Sequence, residues 1–102
     1  MPGQAFQDAV KASKQLTQKP SQDELLQMYA YFKQAQQDPP IDKAPAPGTF
    51  DLKGKAKKKA WQKVVDEGVT PQSAEQKYVA LVNQLKDKYG YDPKKAPEAV
   101  GA

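Results

Sequence analysis

Four helices and no sheet are what this 102-residue chain predicts, and three observations carry that expectation. Between the prolines, apolar residues recur at three- and four-residue spacing, and no stretch sustains the alternation of a half-buried strand. Helix-start signals stand where two of those stretches begin: Ser21 with Glu24 three positions on, and Thr70 followed by Pro71. Prolines at Pro2, Pro20, Pro39, Pro40, Pro45, Pro47, Pro71, Pro93 and Pro97 punctuate the chain and exclude helix interiors where they cluster. The fold class is all-α, with a long Pro-rich connection between helices 2 and 3.

The first stretch places Phe6, Ala9, Val10, Ser13 and Leu16 on one face and ends before Lys19-Pro20, because a proline disfavours helical backbone in the residue before it. The second opens on the capping box Ser21-Gln22-Asp23-Glu24, carries Leu25, Leu26, Met28, Tyr29 and Phe32, and stops before Asp38-Pro39-Pro40. The connection DPPIDKAPAPG follows; its prolines restrict it without requiring a core. The third helix runs from about Asp51 to Asp66, with Leu52, Ala56, Ala60, Trp61, Val64 and Val65 on one side, and Glu67-Gly68 ends it. The fourth shows the clearest stripe: Ala74, Tyr78, Leu81, Val82, Leu85 and Tyr89, with Gly90 as a ready C′ residue. One domain over residues 1–91 and a short flexible tail over 92–102 are expected.

Composition narrows the chemistry. Histidine and cysteine are both absent, which removes zinc sites, Ser–His and Cys–His pairs and disulfides. No catalytic residue, metal or cofactor is therefore expected. Lys+Arg 16 against Asp+Glu 12 leaves a net charge of +4, which favours an anionic partner. Every basic residue is lysine; arginine, the usual reader of base edges, is missing. The start lacks the apolar run of a secretory signal, and no segment approaches a membrane span, so a cytoplasmic protein without stable membrane insertion is the expectation.

Tyr29, Phe32 and Lys33 stand at i, i+3 and i+4 and project from neighbouring parts of one helix surface. Rings in the core and a solvated lysine would explain the spacing; so would a ligand with a flat ring and a phosphate. The third helix begins FDLKGKAKKKAW. Its five lysines cover too wide an arc for one small ligand, but Lys53 and Lys57 share a side above a helix N-terminus, where a phosphate is favoured. Tyr78 reads as a core tyrosine and Lys14 as an exposed residue. Acidic pairs such as Asp23-Glu24 suit capping better than acid–base work.

Several stretches in order resemble the acyl-CoA-binding protein family: F-x-x-A-x-x-x-x-K-x-L-x-x-K-P from Phe6, LLQMYAYFKQA from Leu25, FDLKGKAKKKAW from Phe50 and KYVALVNQLKDKYGY from Lys77. The resemblance spans the chain apart from the tail. It implies a skewed four-helix bundle that binds long-chain acyl-CoA in the cytosol as a carrier and does no chemistry on it. The matching positions imply that Tyr29, Lys33 and Lys57 meet the CoA phosphates, chiefly the ribose 3′-phosphate. Tyr78 would pack against the adenine, and Ala9, Lys14 and Leu26 would line the groove. Lys53 and Lys55 would add supporting charge, and Phe32 a stacking ring. Trp61 is expected to anchor its helix in the core. A monomer with transient contacts to acyl-CoA-using enzymes is implied. The chain departs from the family's pattern at Phe32, commonly tyrosine; at Ser13, commonly apolar; at Lys58, often aromatic; and in two longer connections.

These residues also suit such a ligand on physical grounds. A polyanion joined to a hydrocarbon needs lysines and aromatics beside an apolar slot. At ~0.8 kcal/mol per buried methylene, a dozen methylenes supply about 10 kcal/mol before ordering costs. Two other classes compete. A nucleic-acid or other polyanion binder using the lysine-rich helix would lose affinity steeply with salt. An acyl-CoA hydrolase or transferase would need a base–nucleophile pair that the composition does not offer.

Overall fold

Three of the four helices start where a side chain takes up a free backbone amide. The computed structural model describes residues 3–37 and 39–95. Among them the helices are α1 (Gln4–Ser13), α2 (Gln22–Gln36), α3 (Leu52–Asp66) and α4 (Pro71–Tyr89). Ser21 Oγ accepts from the Glu24 amide at 3.3 Å while Glu24 Oε1 accepts from the Ser21 amide at 2.8 Å, the reciprocal pair expected from the sequence. Thr70 Oγ1 accepts from the Ser73 amide, with Pro71 as the first helical residue. Asp51 opens α3 by accepting from the Gly54 amide at 2.9 Å. Before α1 no side chain caps; instead the Gly3 amide reaches across to Glu75 of α4.

The end of α1 differs from expectation. Leu16 keeps the helical spacing of Phe6 and Ala9, yet the helix stops at Ser13. Leu16 is buried from the turn that follows α1, where it makes an isolated bridge to Tyr91. Thr17 donates its amide to Gly90 O at 3.0 Å and its hydroxyl to Tyr89 O at 2.6 Å. The Gln15 amide group donates to Pro93 O and Lys95 O, and Lys95 Nζ donates to Leu16 O. These distant partners satisfy backbone groups that another helical turn would have used. Of the tail expected over 92–102, residues 96–102 lie outside the described residues, and 92–95 rest against this segment.

Two apolar clusters follow. The larger joins α1, α2 and α4 around Phe6, Ala9, Met28, Tyr78, Val82 and Leu85. The smaller joins α2 and α3 around Ala30, Trp61 and Val64, and Ile41 and Ala44 of the Pro-rich connection pack against it. Trp61 is the anchor the sequence suggested, only 2% exposed, and its indole N–H donates to Gln34 Oε1 at 3.0 Å. Gln34 also donates to Val69 O, so one buried amide ties α2 to both α3 and the turn after it. Leu52 is a correction: expected on the buried side of α3, it is 76% exposed, because the residues that α3 buries fully, Trp61 and Val64, come more than two turns later.

Contacts advance in the same direction along α2 and α3: Tyr29 meets Lys57, then Lys33 and Gln34 meet Trp61. The two helices therefore run the same way. Their connection must travel back the length of α2, about 22 Å for its 15 residues. That return explains a long connection in so small a bundle.

Candidate ligand-binding site

The site residues fall into two groups separated by α2. On the α3 side, the Lys57 ammonium sits 5.3 Å from the centre of the Tyr29 ring, and the Lys33 ammonium 5.6 Å from the Trp61 ring. Tyr29, Lys33 and Lys57 are all half-buried. Each lysine is thus held over an aromatic face, a favourable arrangement for a cation. Partial burial pushes the Tyr29 hydroxyl above its ordinary pKa of 10.0, so it keeps its proton at neutral pH and can donate to an anion.

Beside this group an open groove of about 940 Å³ runs between α2 and α3. Leu26, Pro47, Ala56 and Ala60 give it an apolar floor, and Lys55, Lys59 and Lys63 stand along it, with Asp23, Asp66 and Glu67 also in its lining. Leu26 is the one groove residue read from the sequence that lines it. Ala56 and Ala60 were read only as part of the α3 stripe. Their small size, four residues apart and facing α2, is the signal that marks a slot rather than a packed contact.

On the other side, Phe6, Phe32 and Tyr78 form a ring cluster, with centroids 5.1 to 6.2 Å apart. Phe32 is half-buried and holds its place by stacking on Phe6 at 6.0 Å, without a hydroxyl. Tyr78 is 3% exposed and its hydroxyl donates to Ser13 Oγ at 3.2 Å. The Ser13 hydroxyl in turn donates to Val10 O. Serine at a commonly apolar position is therefore explained: it satisfies a buried phenol. Burial raises the pKa of that phenol, with the Ser13 hydrogen bond acting the other way. Ala9 is buried in the same cluster.

The remaining residues are not joined to either group by a hydrogen bond, ion pair or ring contact. Lys14 is half-buried just beyond α1, and Lys53 is exposed on the first turn of α3. Lys55 donates to Thr49 O at 2.5 Å, which ties the groove's edge to the incoming connection. The glycine between Lys53 and Lys55 has a structural cause. A Cβ at Gly54 would collide with the Asp51 carboxylate that caps the helix, so the cap can fold over α3 only where no side chain stands. Gln34, absent from the sequence-based site, orients Trp61 and through it the surface under Lys33.

Comparison with known proteins gives this geometry a context. A family model described as "Acyl CoA binding protein" matches residues 3–82. The chain is 48% identical over 87 residues to acyl-CoA-binding protein homolog 1 of Caenorhabditis elegans, covering 84% of this chain and 95% of that protein. It is 43% identical over 89 residues to an acyl-CoA-binding protein homolog of Drosophila melanogaster, covering 87% and 99%. With the acyl-CoA-binding protein of Saccharomyces cerevisiae it shares 42% over 90 residues, covering 87% and 98%. The four helices, the aromatic-backed lysines and these matches agree: the chain belongs to the acyl-CoA-binding protein family.

Proposed function

We propose that the protein binds long-chain fatty acyl-CoA thioesters and serves as a cytosolic carrier and pool for them, without chemistry on the ligand. The observation that carries this reading is the grouping of Tyr29, Lys33 and Lys57 beside an open, apolar-floored groove in a chain of this family. Tyr29 and the two ammonium groups take the ribose 3′-phosphate, with Lys53 and Lys55 adding supporting charge and Lys14 lining the groove. The adenine packs against the ring cluster, where Phe32 offers the half-buried face and Tyr78 stands behind it. The acyl chain follows Leu26 and the alanines of α3, while Ala9 shapes the floor on the α1 side. The thioester meets no activated nucleophile, since the chain contains neither histidine nor cysteine.

Affinity should rise with each added methylene by up to ~0.8 kcal/mol until the groove is filled. Calorimetry over a series from free CoA to palmitoyl-CoA measures this. Equal affinity for the two ends of the series would overturn the groove assignment, and sustained release of free thiol by pure protein would overturn the carrier reading.

A further inference from the structure

The Pro-rich connection between α2 and α3 turns one edge to the bundle at regular intervals. Ile41, Ala44 and Pro47 are half-buried, and the two residues after each of them are exposed. The backbone produces this repeat of three. Ile41–Lys43 form a 3₁₀ turn, and Ala44 continues at φ −73° and ψ 142°, in the polyproline II region. Both conformations have three residues per turn, so one edge of the strap stays inward along its length. Ile41 and Ala44 pack against the Trp61 cluster. The third inward residue, Pro47, lines the α2–α3 groove, and it alone among the lining residues comes from the connection. The strap is also stiff. Pro45 and Pro47 have fixed φ, Ile41 and Ala44 anchor one end on buried side chains, and the Lys55 ammonium holds the Thr49 carbonyl at the other.

We propose that Pro47 is a specificity-determining residue of the groove: held by the strap, it forms a fixed stop that sets the longest acyl chain the groove accepts. The proposal rests on the acyl-CoA reading above and names what limits its ligand. The apolar floor sets no such limit, since Leu26, Ala56 and Ala60 are helix side chains along an open slot. A loose connection would yield to a longer chain, and affinity would level off gradually. A stiff wall fastened at both ends does not yield. Methylenes short of it leave water and add affinity, and those beyond it stay in water and add none. The stop is built from a connection that is longer than the family's pattern, so the limit belongs to this chain rather than to the bundle.

The test is calorimetry of wild type, Pro47→Gly and the control Ala46→Gly with saturated acyl-CoAs from octanoyl to docosanoyl, and with free CoA as the reference. In wild type, affinity should rise by up to about four-fold per methylene and then stop rising at one length. Pro47→Gly should carry the rise at least two methylenes further, with its free-CoA affinity within two-fold of wild type. Ala46 is exposed and does not line the groove, so Ala46→Gly loosens the same backbone and should leave the stop where it is. A stop that Pro47→Gly leaves unmoved overturns the proposal, as does a wild-type rise that levels off gradually. A loss by the same factor at every length overturns it as well, because Pro47 would then support only the fold. So does a stop displaced equally by Ala46→Gly, since flexibility of the connection and not the proline would set the limit. These failures leave the carrier reading standing. Equal affinity of wild type for free CoA and palmitoyl-CoA would sink that reading, and the proposal with it.

Discussion

Lys33 decides whether the site is a phosphate clamp or a general basic surface. Its ammonium rests over Trp61, so the side chain is ordered before any ligand arrives and loses less freedom on binding. A hydrogen bond between an ammonium and a phosphate is worth ~1.5–3 kcal/mol. Lys33→Ala should accordingly weaken acyl-CoA binding by about ten-fold or more. The substitution also uncovers part of the indole, so the ligand must separate a lost contact from a disturbed core. Wild type should bind acyl-dephospho-CoA, which lacks the 3′-phosphate, more weakly, and Lys33→Ala should then lose little further. Calorimetry on the four combinations measures the coupling. An equal loss with both ligands would mean that Lys33 acts through charge or stability alone.

At the scale of elements, the fold is governed by what starts and stops each helix. Gly90, after α4, has φ +82° and ψ 156°, a region populated almost only by glycine, and a Cβ there would collide with Thr17 Oγ1. Gly90→Ala should destabilise the protein by about 2 kcal/mol or more, seen as a lower urea midpoint at unchanged slope. Adding Thr17→Ala should recover the steric share but not the backbone share; an unchanged midpoint in the single variant would refute the argument. Starts were legible because they are local: Ser21 meets Glu24 and Thr70 meets Ser73 within four residues. The end of α1 was not, because what stops it is pairing with Gly90 and Tyr91, more than seventy residues away. The same distinction divides the site. Tyr29 and Lys33 share a face by spacing alone. The seating of Lys33 on Trp61, and the groove between Leu26 and Ala56, exist only once α2 and α3 lie side by side. Leu52 obeyed the α3 stripe and still faces solvent, since periodicity gives a face but not how far along the helix the neighbour extends.

For the whole molecule, Glu24 links helix start to helix end across the bundle. It accepts from the Tyr89 hydroxyl at 2.5 Å, the Ser21 amide at 2.8 Å and the Lys88 ammonium at 3.0 Å. The Tyr89 hydroxyl first, then the Ser21 amide, hold its carboxyl down to about 2 from an ordinary 4.5. The fold therefore favours the ionised form. Its contribution is complete above the unfolded value and is lost as pH falls through the folded one. Glu24→Gln keeps the shape and the cap but not the charge. It should melt at a lower temperature than wild type near neutral pH, with the gap narrowing below pH 4.5 and closing near 2. Thermal unfolding of both proteins across that range checks this; a constant gap would show that the charge contributes nothing. The ties around Thr17, Leu16 and Gln15 carry a further consequence, for birth rather than for stability. The segment that follows α1 is fastened to residues 89–95, and α1 itself packs chiefly on α4. During synthesis the first helix leaves the ribosome with its principal neighbour still untranslated, and it cannot settle until α4 has been made. Until then, α2 and α3 wait beside an unclaimed first helix.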